Sequence, residues 1–301
     1  MAATRHPNTA SAEQQSNQMH AADTVADLRA QLSELRSRCP RIGFVPTMGN
    51  LHQGHLSLIA KARDAGADAI VVSIFVNPLQ FGPKEDLAAY PRTIEDDRRE
   101  LDSLNVDVVF IPGVDEMYPG GQASETHVEV PQLSQILCGR FRPGHFTGVA
   151  TVVRKLFNMV QPDLAVFGEK DYQQLVVIRR MTRDFCLPVE IIGSPTIREP
   201  DGVAMSSRNR YLSAEERGIA PTLFRLLQTT ADKIRSGATD VSALEHEAMT
   251  QLQTAGFRPD YFAVRDAETL EQPTSDTAEL RILAAAWLGK ARLIDNIGVS
   301  R

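Results

Sequence analysis

The sequence has few cysteines and no long apolar run. Its three cysteines, Cys39, Cys138 and Cys186, are far apart and form no CxxC pair. An odd number of widely spaced cysteines argues against a disulfide framework and against a zinc knuckle, so we expect free thiols. No apolar stretch approaches the roughly 20 residues that a membrane-spanning helix requires, and the N-terminus lacks the apolar core of a signal peptide. We therefore expect a cytoplasmic protein that makes no use of a membrane.

The chain also lacks a basic block. Its 32 Lys and Arg residues stand against 38 Asp and Glu residues, which gives a net charge of −6. Because nucleic-acid-binding proteins usually present a basic patch to the phosphate backbone, this balance disfavours a nucleic-acid partner and favours chemistry on small molecules. With 301 residues, the chain is long enough for one large domain and a smaller one.

Residues 1–20 are polar and show no apolar periodicity, which predicts a disordered tail. A short helix is expected from Thr24, and short β-branched strands then alternate with helical patterns. This alternation predicts a doubly wound parallel α/β sheet, a Rossmann-like domain over residues 21–196. The predicted strands are 42–45, 69–76, 106–111, 164–167 and 189–192, and the predicted helices between them are 55–65, 94–104, 149–160 and 172–185.

The remaining residues, 197–301, predict a smaller α+β domain, with the boundary near residues 194–200. Ser213 and Glu216 form a capping-box pattern that opens a helix to about residue 234, and a second helix follows over 241–255. Strands are expected at 261–264, 282–287 and 291–294, the last two forming a hairpin around Gly289 and Lys290.

The segment PTMGNLHQGH, Pro46–His55, is the most informative motif. It joins a predicted strand to a predicted helix, where unpaired backbone N–H groups attract anions, and its glycines allow close approach. His52 and His55 are three residues apart, so both imidazoles are expected on one face of the first helical turn, able to donate to phosphoryl oxygens. The alternatives are a tight turn with two surface or core-edge histidines, or a divalent-metal pair that lacks an obvious third ligand.

Two further loops are suited to phosphate. FGEKDYQQ, Phe167–Gln174, follows another predicted strand and offers Lys170 as a point charge; its alternative is an ordinary capped helix. Ser206, Ser207 and Arg208 in MSSRN place two hydroxyls beside a guanidinium at the domain boundary, where a loop can close over a site. The alternative there is a surface linker.

Other polar groups follow the second strand and precede the next helix. Asn77 and Gln80 are neutral donors and acceptors able to bind hydroxyls and a carboxylate without adding charge, with Phe75, Phe81 and Tyr90 as candidate pocket walls or core aromatics.

In the stretch GRFRPGH, Arg140 and Arg142 precede a predicted helix start and His145 adds a polar group, for which a structural turn is favoured. Asp96 and Asp97 are candidate magnesium ligands; the alternative is a solvated helix face.

Taken together, the motifs PTMGNLHQGH, IFVNPLQF, YPRT, GRFRPGHFTGV, FGEKDYQQL and MSSRNRYLS resemble the pantothenate synthetase (pantoate beta-alanine ligase) family of the HxGH nucleotidyltransferase superfamily. The resemblance covers about residues 24–298. Asn50 and Gln53 depart from the commonest form, in which Ala or Tyr and then Glu are expected.

The resemblance implies an ATP-dependent condensation of (R)-pantoate with beta-alanine through a pantoyl adenylate, releasing pyrophosphate and AMP, in a homodimer. It implies that His55 is the proton donor and that His52, Lys170 and Arg208 complete the catalytic set. Gln80 and Gln174 would hold pantoate, with Asn77 beside them, and Asp96 and Asp97 would hold Mg²⁺. The implied ATP site is Met48, Gly49, Asn50, Leu51, His52, Gln53, Gly54, His55, Gly168, Glu169, Lys170, Asp171, Ile197, Met205, Ser206, Ser207 and Arg208.

Two other functions remain open from the sequence. A nucleotidyltransferase of the same fold would keep the nucleotide in its final product. An RNA-interacting module without catalysis is disfavoured by the negative charge and by three phosphate-suited loops.

Overall fold

A six-stranded parallel sheet forms the centre of the larger domain, as the sequence predicts. The computed structural model describes residues 19–82, 87–88 and 90–301. The strand order is β1-β4-β3-β2-β5-β6, and every neighbouring pair is parallel. The strands are β1 His20–Ala22, β2 Ile42–Thr47, β3 Ala69–Ile74, β4 Val108–Phe110, β5 Leu164–Gly168 and β6 Glu190–Ser194.

Helices cover both faces of this sheet. Phe44 and Val71 belong to the core on one face, whereas Val45 and Ile70 belong to the core on the other. This explains the nearly unbroken apolar strands, because neither side of the central strands meets water. The helices are α1 Val25–Arg36, α2 Gln53–Asp64, α3 Ile94–Ser103, α4 Val114–Met117, α5 Cys138–Phe141, α6 His145–Val160 and α7 Tyr172–Asp184.

One strand lies where the sequence predicts none. β1 begins at His20, the last residue of the predicted tail, and pairs with β4 at the edge of the sheet. A stretch of three residues is too short to show the alternating pattern that predicts a strand. β1 forms because its backbone pairs with that of β4. Residues 1–18 of the predicted tail lie outside the described residues.

The C-terminal part forms a second, smaller core. The capping box of Ser213 and Glu216 is present, but the single helix predicted from it is two helices, because Pro221 starts a new one. An antiparallel sheet of order β7-β8-β9 packs against the helices, and the hairpin turns at Gly289 and Lys290 as predicted. The elements are α8 Ala214–Ile219, α9 Pro221–Arg235, α10 Val241–Thr254, β7 Arg258–Asp266, β8 Glu279–Leu288 and β9 Ala291–Ser300.

The domain boundary near residues 194–200 stays a prediction. All three cysteines are free, as expected. Within the part of the chain that the structure describes, no helix combines the length and apolarity needed to cross a bilayer.

Candidate active site

A cleft lies at the carboxyl ends of β2, β3 and β5, where the order of the sheet reverses. Ligands of open α/β sheets bind at this switch point, because the loops on either side diverge there. The cavity has a volume of about 180 Å³. A larger surface groove of about 1020 Å³ lies between α7, α10 and β7, but it contains none of the predicted site residues.

The turn between β2 and α2 is held by hydrogen bonds to Asp97 of α3. The carboxylate oxygens of Asp97 accept hydrogen bonds from the backbone N–H groups of Asn50, at 2.9 Å, and Leu51, at 2.8 Å. The Thr93 hydroxyl donates to the same carboxylate at 3.1 Å. Asn50 has a positive φ of 52°, a conformation that these bonds stabilise. Asp97 therefore fixes a strained turn.

These contacts do not support a magnesium pair of Asp96 and Asp97, which stays a prediction. Asp97 is only 2% exposed and its oxygens already accept three hydrogen bonds. Asp96 is exposed and pairs with Arg99 on the helix surface. Among the described residues, no group of three or more His, Cys, Asp or Glu side chains can hold a metal ion.

His52 caps α2 rather than lying within it. Its Nδ1 accepts a hydrogen bond from the Gly54 N–H at 3.1 Å, so the proton of the neutral ring is on Nε2. A Cβ on Gly54 would come within 2.9 Å of the His52 ring, which explains the glycine between the histidines. The rings of His52 and His55 lie side by side with centroids 4.1 Å apart, as their spacing predicts.

Both imidazoles are held neutral. Burial, and then the neighbouring His52, lower the pKa of His55 to about 3. Burial, and then the charge of Lys170, lower the pKa of His52. Within the described structure, the buried Nδ1 of His55 has no hydrogen-bond partner. The pair therefore offers neutral ring nitrogens, not imidazolium ions, to a ligand.

The backbone of this turn contributes less to anion binding than the sequence suggests. The N–H groups of Asn50, Leu51 and Gly54 already donate to side chains. An anion in the cleft must therefore be bound chiefly by side chains.

Lys170 and Asp171 lie in a short turn that directly follows β5. The Lys170 Nζ is 3.8 Å from the nearest oxygen of Asp171. Desolvation raises the pKa of Asp171, but the positive charges of Lys170 and Arg208 outweigh it and hold this pKa below its usual value. The carboxylate thus stays ionised between two cations on separate loops.

The Gln80 side chain is oriented by Asn77. The Asn77 Nδ2 donates to the Gln80 Oε1 at 3.1 Å, which leaves the Gln80 NH₂ group for a ligand. Asn77 itself is fully buried: it also donates to the Gly148 carbonyl and accepts from the Leu79 N–H and the Tyr118 hydroxyl. The hydrogen-bonding positions of Asn77 are therefore all used within the protein, where the side chain orients Gln80. A direct contact of Asn77 with substrate stays a prediction.

Arg142 and His145 line the cleft, although the sequence favoured a structural role for His145. The His145 Nδ1 is 2.9 Å from the Gln80 carbonyl oxygen, and the Arg142 Nη1 is 2.9 Å from the His145 Nε2. Since a carbonyl can only accept and a guanidinium can only donate, His145 carries its proton on Nδ1. Arg140 and Arg142 just before α6, and His145 at its first position, were the sequence signal for this contact.

The 198–208 segment closes one side of the cleft. Its start forms a narrow hairpin in which the Met205 N–H donates to the Ile197 carbonyl at 2.9 Å. The Ser206 hydroxyl caps the following turn by accepting from the Arg208 N–H. Burial raises the pKa of Tyr90, and Arg208 and a hydrogen bond with Ser207 oppose this rise. Tyr90 and this segment therefore meet across the cleft entrance.

The structure brings together most, but not all, of the predicted site. Gln53 is exposed, and Glu169 pairs with Arg281 at 3.0 Å instead of facing the cavity. The other predicted ATP-site residues that are not part of the cavity lining are Gly49, Asn50, Leu51, Gly54, Gly168, Lys170, Ile197 and Met205. The apolar wall contributed by α6 was missed, because a helix core stripe carries no sign of a ligand. The lining residues are Pro46, Thr47, Met48, His52, His55, Phe75, Gln80, Phe81, Tyr90, Arg142, His145, Val149, Val152, Val153, Leu156, Phe167, Asp171, Gln174, Ser206, Ser207 and Arg208.

Known proteins resemble this chain in sequence and fold along almost its whole length. The family model of pantoate-beta-alanine ligase matches residues 20–298. The pantothenate synthetase of Marinobacter nauticus is 55% identical over 283 residues, which cover 94% of this chain and 100% of that protein. The crystal structure of pantothenate synthetase from Thermus thermophilus has a TM-score of 0.86 at 47% identity, covering 94% of this chain and 100% of that one.

A further crystal structure, of pantoate-beta-alanine ligase from Francisella tularensis complexed with beta-gamma ATP and beta-alanine, has a TM-score of 0.77 at 37% identity. The match covers 93% of this chain and 97% of that one. By sequence and by fold, the chain belongs to the pantoate-beta-alanine ligase family.

Proposed function

We propose that this protein condenses pantoate with beta-alanine at the expense of ATP, through a pantoyl adenylate. One observation carries the proposal: two neutral histidines, Arg208 and the carboxamides of Gln80 and Gln174 line one cleft, and the Nζ of Lys170 lies 3.8 Å from Asp171 in the same lining. Cationic and N–H donors suit the phosphates of ATP, and the carboxamides suit a small hydroxy acid. The relatives' names agree with this chemistry.

In the first step, a carboxylate oxygen of pantoate bonds to the α-phosphorus of ATP, and the bond to the bridging oxygen breaks to release pyrophosphate. Two anions must meet, so the charges of Lys170 and Arg208 offset their repulsion. His52 and His55 serve as neutral donors to the phosphoryl oxygens, since their pKa values are lowered. A neutral donor stabilises developing negative charge without binding the product pyrophosphate too tightly.

In the second step, the amine of beta-alanine attacks the acyl carbon, its nitrogen loses a proton and AMP leaves. Adenylation is needed because a free carboxylate would have to expel oxide. The apolar wall from α6 and Phe167 limits water access, which protects the acyl adenylate from hydrolysis.

Magnesium enters this proposal only as the ion that accompanies ATP phosphates. The hydrogen bonds of Asp97 and the exposed position of Asp96 do not fit a protein site for it. We therefore assign no step to the ion.

A homodimer and a cytoplasmic location also belong to this proposal. Phe141 and Phe185 are 44% and 52% exposed, which is unusual for phenylalanine and suits a subunit contact. Light scattering of the purified protein tests the dimer, and fractionation of expressing cells tests the location.

The deciding experiment is isotope exchange between pyrophosphate and ATP. Exchange should require pantoate but not beta-alanine, and AMP should be the nucleotide product of the full reaction. Formation of ADP would contradict the adenylate route. A final product that retains the nucleotide in mass spectra would instead indicate a nucleotidyltransferase.

A further inference from the structure

Two consecutive residues of β9, Asp295 and Asn296, lie between the two cationic loops of the cleft. Both are almost completely buried, at 4% and 3% exposure. They come from the C-terminal sheet, more than a hundred residues after Lys170 in the chain. Buried polar groups are costly unless fully bonded, so their partners indicate what they stabilise.

Asn296 holds the turn that carries Lys170. Its Nδ2 donates to the backbone carbonyls of Glu169 and Lys170, both at 2.9 Å. Its Oδ1 accepts from the Nε of Arg281 at 2.6 Å, and Arg281 in turn pairs with Glu169 and stacks on Tyr172. The amide therefore has a fixed orientation and binds the main chain of the turn, independent of the Lys170 side chain.

Asp295 holds the start of the 198–208 segment. Both of its carboxylate oxygens accept from the guanidinium of Arg198, at 2.6 and 2.9 Å. Arg198 also donates to the Gly202 carbonyl within the segment and lies over the ring of Phe224. This bidentate pair thus fixes the hairpin from which Ser206, Ser207 and Arg208 extend.

Asp295 and Asn296, the two anchors of these loops, are hydrogen-bonded to each other. The Asn296 N–H donates to the Asp295 carboxylate at 2.7 Å, and the Asn296 carbonyl accepts from Arg198 at 3.4 Å. A displacement of either loop would therefore disturb the other. No ligand is needed to connect them.

We propose that Asp295 and Asn296 are positioning residues. They hold the Lys170 turn and the 198–208 segment at the distance from each other that binding of the ATP phosphates requires. This inference rests on the proposed function, because it assumes that Lys170 and Arg208 bind those phosphates together. A misplacement of about 1 Å at such groups is enough to slow a reaction by roughly a hundredfold. The C-terminal sheet is then part of the ATP site without touching ATP.

Asn296→Asp tests the first anchor, because it keeps the shape and the acceptor for Arg281 but replaces the donor with a carboxylate facing two carbonyls. We expect the KM for ATP to rise on the order of tenfold and kcat to fall, with the KM for pantoate changed by less than about twofold. Asn296→Ala, which removes the donor without adding charge, replaces this variant if it does not fold.

Asp260→Asn is the matched control. Asp260 pairs with Arg292 at 2.8 Å on the same sheet, with both side chains nearly as buried, and contacts neither loop. Its loss should lower the melting temperature but leave the KM for ATP unchanged.

Asp295→Asn tests the second anchor and, combined with Asn296→Asp, the bond between them. The double variant should raise the KM for ATP by less than the product of the single effects, because the two anchors act as one unit. An unchanged KM for ATP in both single variants would overturn the proposal. Equal increases for ATP and pantoate, matching general damage, would overturn it too.

Direct binding separates this test from the test of the function. ATP binding measured by calorimetry should weaken in Asn296→Asp and not in Asp260→Asn. Absence of pantoate-dependent exchange in the wild type would contradict the proposed function. Unchanged ATP affinity in the variants would contradict the positioning role alone.

Discussion

The two halves of the cleft are built in different ways. The turn between β2 and α2 that carries His52 and His55, here called the histidine turn, is held within its own domain. Asp97 and the cap that His52 makes on α2 hold it. The lysine turn and the 198–208 segment are held from the C-terminal sheet, by Asn296 and Asp295. The first half is complete once the parallel sheet has folded, whereas the second requires both domains to pack together. Damage to each half should therefore have different effects on binding, stability and pH dependence.

The largest effect is expected from removal of His55 in the histidine half. His55→Ala should cost about 3 kcal/mol of transition-state stabilisation, because it removes a preorganised donor beside the phosphate. The measurement is kcat/KM for pyrophosphate exchange. His127→Ala, in an exposed loop, serves as the control. Normal turnover by His55→Ala would exclude this residue from the mechanism.

The second-largest effect is expected from a change of Asp97, which holds the histidine turn. Asp97→Asn should lower the free energy of unfolding by about 2 kcal/mol and raise the KM for ATP, because an amide cannot accept both backbone N–H bonds. Urea unfolding and exchange kinetics measure the two effects. Asp96→Asn should change neither. Recovery of Asp97→Asn activity by excess Mg²⁺ would show that Asp97 is a metal ligand after all.

A smaller effect is expected where α6 contacts the turn at Gln80. A Cβ on Gly148 would overlap the backbone carbonyl of Leu79. Gly148→Ala should therefore displace Gln80 and cost about 1.5 kcal/mol, seen as a higher KM for pantoate with the KM for ATP unchanged. Gly113→Ala, where a Cβ meets nothing within 4 Å, is the control. A rise in the KM for ATP instead would mean that the ATP and pantoate pockets are not separate.

The last expected effect is a pH dependence that belongs to the histidine half and is measured as a slope of stability against pH. The pKa of His55 is about 3 in the folded protein, against 6.5 for the ordinary side chain, so the unfolded chain binds more protons between these values. The stability that this residue contributes is present above pH 6.5 and is lost as pH falls toward 3. The slope is at most about 1.4 kcal/mol per pH unit.

Urea unfolding of the wild type and of His55→Asn measures this contribution between about pH 5 and about pH 7, a range around the unperturbed histidine pKa. The variant should show a shallower slope. Identical slopes would mean that His55 is not buried as a neutral ring.

Much of this architecture follows from local patterns. The apolar runs at residues 42–45 and 69–76 correspond to β2 and β3, and the capping box of Ser213 and Glu216 is present. Motifs that follow strands in the chain meet in the cleft, because parallel strands bring their carboxyl ends to one edge. The sequence did not show that Asn77 and Asp97 hydrogen-bond to neighbouring protein groups, since a polar side chain looks the same whether it binds a ligand or the backbone.

By itself, the sequence determined the parallel sheet, the histidine turn and the family, because strand periodicity, turn glycines and motif order are properties of neighbouring residues. Only the tertiary structure decided which polar groups face the cleft and which support it. Asp295 and Asn296 carry no local signal; they gain their partners when the C-terminal sheet packs against residues 169–170 and 198. Burial and hydrogen-bond geometry between distant segments set those roles, and no pattern along the chain encodes them.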